Sequence, residues 1–326
     1  MKKILLFDTA IATTNLGDEI ILDSVKEGLS AILYDSLIFR LGTHIENYSK
    51  KQLGKDNWKY KVLCQNADYK FICGTNLFSG SLKGKFPQWM LNPKNSKLYQ
   101  NAVCVGIGKI NNFKTIDRYT KRLYLKCLSK EYQHSVRDES TKKAMEMIGL
   151  KAINTGCPTL WSLNSEKCAQ IPTKKADKAI LSVSGYPEQV DWIADQKLVD
   201  CVLKNYTTVY AWIQTVMDKQ YLSSLKNTKN IQCIYSLKKY KDILKLGNID
   251  YIGTRLHGGV YALQHSCRAI VIAIDERAIG FYESNKLPIV YREEIEKSLD
   301  MMINSQWETT IQLNQKAIDK FINQFI

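Results

Sequence analysis

The chain is most informative at first for what it does not contain. No apolar run in its 326 residues approaches the length of a membrane span. Met1-Lys2-Lys3 followed by Ile4-Leu5-Leu6-Phe7 begins as a secretory leader would, yet the apolar run stops at Asp8 and no cleavage-like stretch follows. The nine cysteines (64, 73, 104, 127, 157, 168, 201, 233 and 267) are odd in number and scattered, and none forms C-x-x-C. Several fall inside predicted strands, where a reduced thiol behaves as a small hydrophobe. A disulfide scaffold and structural zinc are therefore excluded, no cluster has metal-ligand spacing, and a reduced, cytoplasmic protein is expected. Basic residues come in dispersed pairs such as Lys50/Lys51, Lys142/Lys143 and Lys238/Lys239 rather than in a tract, so no nucleic-acid partner is expected. There is no fixed-period repeat and no low-complexity segment.

What is present is an ordinary globular composition, 45% hydrophobic and 24% charged, with a formal charge of +14. Such a surface attracts anionic substrates or membrane-borne anionic material. The second of these gives an expectation of peripheral contact with the inner membrane surface. The length favours two domains.

Apolar strands alternate with helical spacing along most of the chain. Lys3–Asp8 reads as a strand, and Gly17–Leu29 as a helix opening on Asp18 and Glu19, whose carboxylates suit the helix dipole. Further strands are expected at 31–41, 69–73, 101–106, 131–136 and 151–155. The stretch 78–95, with Gly80, Gly84, Pro87, Trp89 and Pro93, reads as a long exposed loop. Gly106-Ile107-Gly108 is half a dinucleotide fingerprint and is discounted, because Asn111 stands at the third position and no acidic partner follows. Ser165–Lys178 reads as a linker. A second series runs from Ala179, with strands at 179–184, 207–213, 231–235, 249–253 and 268–275. The fold class expected from this alternation is α/β, two facing Rossmann-like domains with an interdomain cleft. Their bounds are 1–165, a linker 166–178, and 179–304, with a C-terminal helix in 305–326 packing back on the first domain.

The stretch from Asn248 to Ser284 organises the second half. Thr254-Arg255-Leu256-His257-Gly258-Gly259 reads as the turn between a buried strand and a helix spanning Val260–His265. At such strand ends open parallel sheets bind ligands, and an anion finds free N–H groups there. Arg255 offers a planar fork and His257 a proton, with the two glycines leaving room for a ligand at the backbone. The competing reading is a plain strand-to-helix turn with a surface arginine and a capping histidine. Arg137 repeats the strand-end placement, with a local salt bridge to Asp138 or Glu139 as its competing role.

Asn15-Leu16-Gly17-Asp18, Gly74-Thr75-Asn76, Ser135-Val136-Arg137-Asp138-Glu139-Ser140 and Thr254–Gly259 with Ala262-Leu263 occur in an order that resembles the polysaccharide pyruvyl transferases, over about residues 4–285. That resemblance implies transfer of the enolpyruvyl group of phosphoenolpyruvate, a co-substrate, onto two hydroxyls of a sugar in a cell-surface polysaccharide precursor, lipid-linked or nucleotide-linked. The product is a pyruvate ketal, phosphate leaves, and no cofactor is implied. By position, His257 would be the general acid and Asp18 would relieve the acceptor of a proton. Arg137, Arg255, Leu256 and Gly258 would bind the donor. Asn15, Thr75 and Asn76 would bind the acceptor, with Asn15 and Asp18 facing the donor side across the cleft. Two positions depart from the family pattern: Gly156-Cys157-Pro158 stands where an acidic residue is common, and Arg277 where a lysine is. The rival functions are a GT-B glycosyltransferase using a nucleotide sugar and a non-catalytic carbohydrate-binding protein of the same fold.

Overall fold

The computed structural model describes residues 1–55, 58–84, 88–110 and 113–326. Pro87 of the expected loop and Asn111 of the half-fingerprint lie outside the described residues. The chain forms two compact α/β units that interleave in sequence. One comprises Met1–Thr13, Ile21–Trp161 and Asn314–Ile326, the other Thr14–Ile20 and Ser162–Leu313.

In the first unit, strands β1 (Lys2–Asp8), β2 (Ser36–Gly42), β3 (Tyr69–Cys73) and β5 (Val103–Val105) form a parallel sheet ordered β2-β1-β3-β5. β4 (Asn76–Phe78) pairs with β6 (Gly108–Lys109), and β7 (His134–Val136) with β8 (Ala152–Asn154). Helices α1 (Gly17–Gly28, its first turn counted with the second unit), α2 (Ser30–Leu33), α3 (Lys50–Leu53), α4 (Lys59–Gln65), α5 (Arg118–Cys127) and α6 (Glu139–Glu146) connect them. β1 is apolar on both faces because both are covered, as a parallel sheet requires. Its Leu5 and Phe7 enter one core with Trp89, Tyr99 and Tyr124, and its Ile4 and Leu6 enter the other with Val25 of α1.

The second unit carries β9 (Lys178–Ser182), β10 (Thr208–Trp212), β11 (Gln232–Ile234), β12 (Ile249–Gly253), β13 (Ala269–Ala273) and β14 (Ile289–Tyr291) in one parallel sheet, ordered β11-β10-β9-β12-β13-β14. Its helices are α7 (Ser165–Ala169), α8 (Trp192–Asn205), α9 (Val216–Ser224), α10 (Leu237–Lys245), α11 (Leu256–Gln264), α12 (Glu276–Asn285) and α13 (Asp300–Asn304). The chain winds from β9 outward to β11, then crosses back to β12 and winds the other way. The reversal falls between β9 and β12, the switch point where doubly wound sheets bind ligands. The closing helix α14 (Gln315–Ile322) returns to the first unit. There Phe321 and Phe325 are buried beside Phe71, and Lys2 donates to the Phe325 carbonyl at 3.1 Å.

Four expectations are corrected. Residues 30–33 are helical and β2 starts only at Ser36, because the apolar run Ala31–Leu33 packs Ile32 and Leu33 inward as a helical turn. The described part of the stretch 78–95 is a loop beyond Phe78, as expected, but an anchored one: Leu82, Trp89 and Leu91 are buried, and Trp89 stacks on Tyr124. The expected linker is ordered, with α7 capped by Asn164 and with Cys168, Ile171 and Ala176 buried. Finally α11 starts at Leu256 and not at Val260, so His257, Gly258 and Gly259 lie in its first turns.

Candidate active site

β12 runs against β9 with Gly253 opposite Ser182, and a Cβ at Gly253 would come within 2.3 Å of the Ser182 hydroxyl. That close approach fixes the exit of β12. The Thr254 amide donates to Ser182 O at 3.0 Å, and the Arg255 amide to Ser182 Oγ at 3.1 Å. The Tyr251 hydroxyl donates to the Arg255 carbonyl at 2.7 Å. Arg255 therefore leaves the sheet at the switch point on a backbone held from three sides.

Its guanidinium is already engaged within the protein. It is 5% exposed and paired with Asp218, which is fully buried. Nε donates to Asp218 Oδ2 at 3.0 Å, and the Nη2 group donates to Asp218 Oδ1 and, at 3.3 Å, to Thr215 Oγ1. The Tyr186 ring covers the guanidinium face, 4.5 Å from Cζ to ring centre, a cation–π geometry. Burial pushes the Tyr186 phenol up, Arg255 pulls it down, and Asp218 and Asp18 raise it. Tyr186 thus senses every charge of the cluster.

Asp218 belongs to a capping box at the start of α9, its side chain accepting from the Thr215 amide at 3.1 Å. It also accepts from the Gln214 amide (3.1 Å), the Gly185 amide (3.0 Å) and the Thr215 hydroxyl (3.0 Å). One carboxylate thereby ties together the loops after β9, β10 and β12.

The N-terminal motif reaches the same place. The Leu16 amide donates to Gln214 O at 3.1 Å, and Gln214 Nε2 donates to Asn15 Oδ1 at 2.7 Å. Asn15 Oδ1 also accepts from the Gly17 amide at 3.0 Å, and Trp212 Nε1 donates to Gln214 Oε1 at 3.3 Å. A Cβ at Gly17 would lie 2.7 Å from Gln214 Nε2, so a larger residue would push that amide off its seat. Asn15 and Asp18 consequently belong to the unit that carries Arg255 and His257, a correction to the expectation that they face it from the first domain. Asp18 is buried in the first turn of α1.

His257 is buried in the first turn of α11, with its ring centre 6.5 Å from that of Phe281. Leu256 is buried beside it. The glycines that follow do not leave room at the backbone, as the sequence suggested. A Cβ at Gly258 would meet Trp212 and the Tyr251 hydroxyl at 3.0 Å, and one at Gly259 would meet Val271 at 2.6 Å. They let α11 press onto the sheet, which is what brings His257 to the strand ends.

In the first unit the reversal of strand order falls between β1 and β3, and Gly74-Thr75-Asn76 follows β3. Gly74 (φ +65°) and Thr75 (φ +60°) are both left-handed, a costly conformation for a β-branched residue. Gly108 donates its amide to Thr75 O at 2.9 Å, and Asn76 Oδ1 is buried without a hydrogen-bond partner. Arg137 leaves β7 and lies flat on Gly108, where a Cβ would be 2.3 Å from its Nε. Its Nε is 3.5 Å from Asp138 Oδ2, while Asp138 Oδ1 caps α6 through the Thr141 amide. The half-fingerprint thus has a packing role at both ends, because Gly106 (φ +64°) turns the chain against Pro158. Cys157 is buried and accepts from Thr159 Oγ1 at 3.2 Å, and burial pushes its thiol up. Arg277 is engaged twice by Asp275, the N-cap of α12, through Nε (3.0 Å) and Nη2 (2.5 Å).

Asp218, Tyr186 and Gln214 escape a reading of the sequence. Thr215-x-x-Asp218 has the spacing of a capping box, a signal of a helix start that carries no hint of the arginine 37 residues on. Among the described residues, no group of three or more His, Cys, Asp or Glu side chains is placed to hold a metal ion. A cavity of about 10 Å³ near Tyr48 and Lys94 contains none of the motif residues and is water-sized.

Two parallel, doubly wound units with these switch-point loops define an α/β protein of GT-B type. In fold the chain is similar to S. aureus MnaA in complex with UDP, at a TM-score of 0.52 and 10% identity, covering 98% of this chain and 91% of that one. It is also similar to UDP-GlcNAc 2-epimerase from Neisseria meningitidis bound to UDP-GlcNAc (TM-score 0.49, 11% identity, 99% and 94% covered). The E. coli heptosyltransferase WaaC with ADP-2-deoxy-2-fluoro heptose matches at a TM-score of 0.36 and 8% identity, with 83% and 88% covered. A search of the curated proteins finds no match. The family model for polysaccharide pyruvyl transferases matches residues 15–276, and the chain belongs to that family.

Proposed function

We propose that this transferase moves the enolpyruvyl group of phosphoenolpyruvate onto two hydroxyls of a sugar in a cell-surface polysaccharide precursor, lipid-linked or nucleotide-linked. The observation that carries the reading is convergence. Asn15–Asp18 and Arg255–His257, some 240 residues apart in sequence, meet in one unit at the switch point of its sheet. In this reading Arg255 and Arg137 hold the anionic groups of the donor. His257 protonates the vinyl carbon, and the oxocarbenium character that develops at C2 invites a sugar hydroxyl, whose proton passes to Asp18. Phosphate then leaves, a second hydroxyl closes the ketal and its proton returns to the His257 imidazole, so atoms and charge balance without a redox partner. Asn15 contributes by seating the segment that carries Asp18, and Thr75 and Asn76 offer polar groups to an acceptor. Peripheral contact with the inner membrane surface fits the +14 charge.

The test is ligand-induced stabilisation of the purified chain by phosphoenolpyruvate against a panel of nucleotide sugars, with phosphate release as the second readout. A ligand at a hundred times its dissociation constant stabilises by ~2.7 kcal/mol. Stabilisation by a nucleotide sugar and none by phosphoenolpyruvate overturns the reading in favour of glycosyl transfer.

A further inference from the structure

The Arg255 guanidinium has an edge, occupied by Asp218 and Thr215, and a face, covered by Tyr186. Arginine carries several rotatable bonds, and holding its fork in one orientation costs rotamer entropy at each binding event unless the protein has already done so. The residues that do it here are not a local pair. Asp218 sits on α9, Tyr186 on the loop after β9, and Arg255 at the end of β12, and Asp218 also bonds the Gly185 amide one residue before Tyr186. Edge and face restraints therefore share one anchor. We propose that Asp218 is a positioning residue of the anion site: it acts through Arg255, fixing the plane of the guanidinium and, through Gly185, the aromatic ring laid over it.

The fixed geometry also assigns the charge. A buried carboxylate compensates the arginine before any ligand arrives, so Arg255 selects by shape and donor direction more than by net attraction. The proposal deepens the pyruvyl-transfer reading, on which the donor-affinity arm of its test rests. A ligand-independent arm keeps the two separable.

The experiment compares wild type, Asp218→Asn and Asp218→Glu. Phenylglyoxal labelling of arginines, mapped by peptide mass, measures how tightly Arg255 is held, with Arg137 in the other unit as internal reference. Titration with phosphoenolpyruvate and with inorganic phosphate measures the anion site. The expected result in Asp218→Asn is at least tenfold faster labelling of Arg255 with Arg137 unchanged. Donor affinity falls about tenfold and acceptor KM holds, and Asp218→Glu lies between that variant and wild type. Unchanged Arg255 labelling in both variants overturns the proposal. So does equal acceleration at Arg137 and Arg255 in both, which reports global loosening and a purely structural Asp218. Labelling that responds as expected in a protein binding neither phosphoenolpyruvate nor phosphate upholds the clamp and discards the donor reading.

Discussion

The two motif arginines occupy equivalent stations and live in opposite surroundings. Each follows a parallel strand and precedes a helix, and each side chain is largely buried. Arg255 has a fully buried carboxylate on its edge and an aromatic ring on its face. Arg137 rests on the backbone of Gly108, and its acidic neighbour Asp138 stands 3.5 Å off, partly exposed and committed to capping α6. The same residue type at the same kind of strand-to-helix junction thus faces a buried carboxylate in one unit and a solvated one in the other. Motif matching treats the two as interchangeable cations; their neighbours make one a rigid template and the other a charge whose acidic neighbour is screened by water.

The contrast extends to the rest of each unit. The second carries the acid and the carboxylate of the proposed chemistry, so His257 should be the costliest position. His257→Ala is expected to keep the fold and most donor affinity while turnover falls about 10²–10⁴-fold. His257→Gln, which donates a hydrogen bond but transfers no proton, should be nearly as poor. Rate and affinity measured separately decide the matter, and a Gln variant at near wild-type turnover removes the acid role.

Next in size is stability. Arg255→Ala strands Asp218 as a buried, uncompensated charge, and breaking such a pair costs roughly 3–5 kcal/mol. Arg137→Ala leaves Asp138 partly exposed and still capping α6, so no buried charge is stranded and the loss should be the smaller of the two. Chemical denaturation of the two variants side by side checks this; equal losses would erase the distinction drawn above.

Acid should separate the units as well. His134 in the first unit is fully buried; its Nδ1 accepts from the Cys104 amide at 3.1 Å and its Nε2 faces the Ser129 carbonyl at 2.9 Å. Burial drives its pKa down from 6.5 to about 4. Between pH 6.5 and 4 the unfolded chain takes a proton that the folded one refuses, so stability is complete above that window and drains through it. By pH 5 the loss is about 2 kcal/mol. In the second unit burial instead raises Asp195 and Asp250, against the pull of Arg292 and of Tyr206 respectively. At those two carboxyls the folded form binds protons more readily than the unfolded one and mild acid favours it, while His265 of the same unit, pushed down by burial, works the other way. Hydrogen exchange at pH 7 and pH 5 should show protection lost first around β5 and β7; earlier loss around β9 and β12 would reverse the assignment.

The smallest expected effect concerns Gly108. A methyl there collides with Arg137 Nε, so Gly108→Ala should lift the guanidinium and weaken the donor about tenfold, with turnover at saturation nearly intact. The matching change at Gly253, where the clash is with Ser182 in the sheet itself, should impair folding instead. Thermal melts beside donor titrations distinguish the two outcomes.

The alternation of strands and helices is legible because parallel sheets demand apolar runs, and those runs are continuous in β1 and β13 and broken in β12 only by Asp250. Arg255 and His257 are legible because a strand end followed by a helix start is a readable junction. Asp218 is not, since its message in sequence is complete as a helix cap and its second partner is a contact made only by the sheet order. The glycines of 258–259 mislead for the same reason. Glycine signals closeness, and nothing local says whether a ligand or a tryptophan is what comes close. Trp89 is lost in an expected loop because a single aromatic between turn residues has no period to betray its burial.

The seven residues Thr14–Ile20 are counted in the second unit although both flanks belong to the first, so the chain passes from one unit to the other after residues 13, 20, 161 and 313. A fragment cut at the apparent boundary, Ser162 onward, would be a sheet without the carboxylate of Asp18 and without Gln214's partner. It would also be a half that no gene duplication or fusion could move as a single cassette. Exchange of this unit between relatives would have to carry a short, distant insert along with it. Selection on these residues is therefore tied to Gln214 as well as to the helix they open, and covariation with Gln214 across the family is where that dependence should be written.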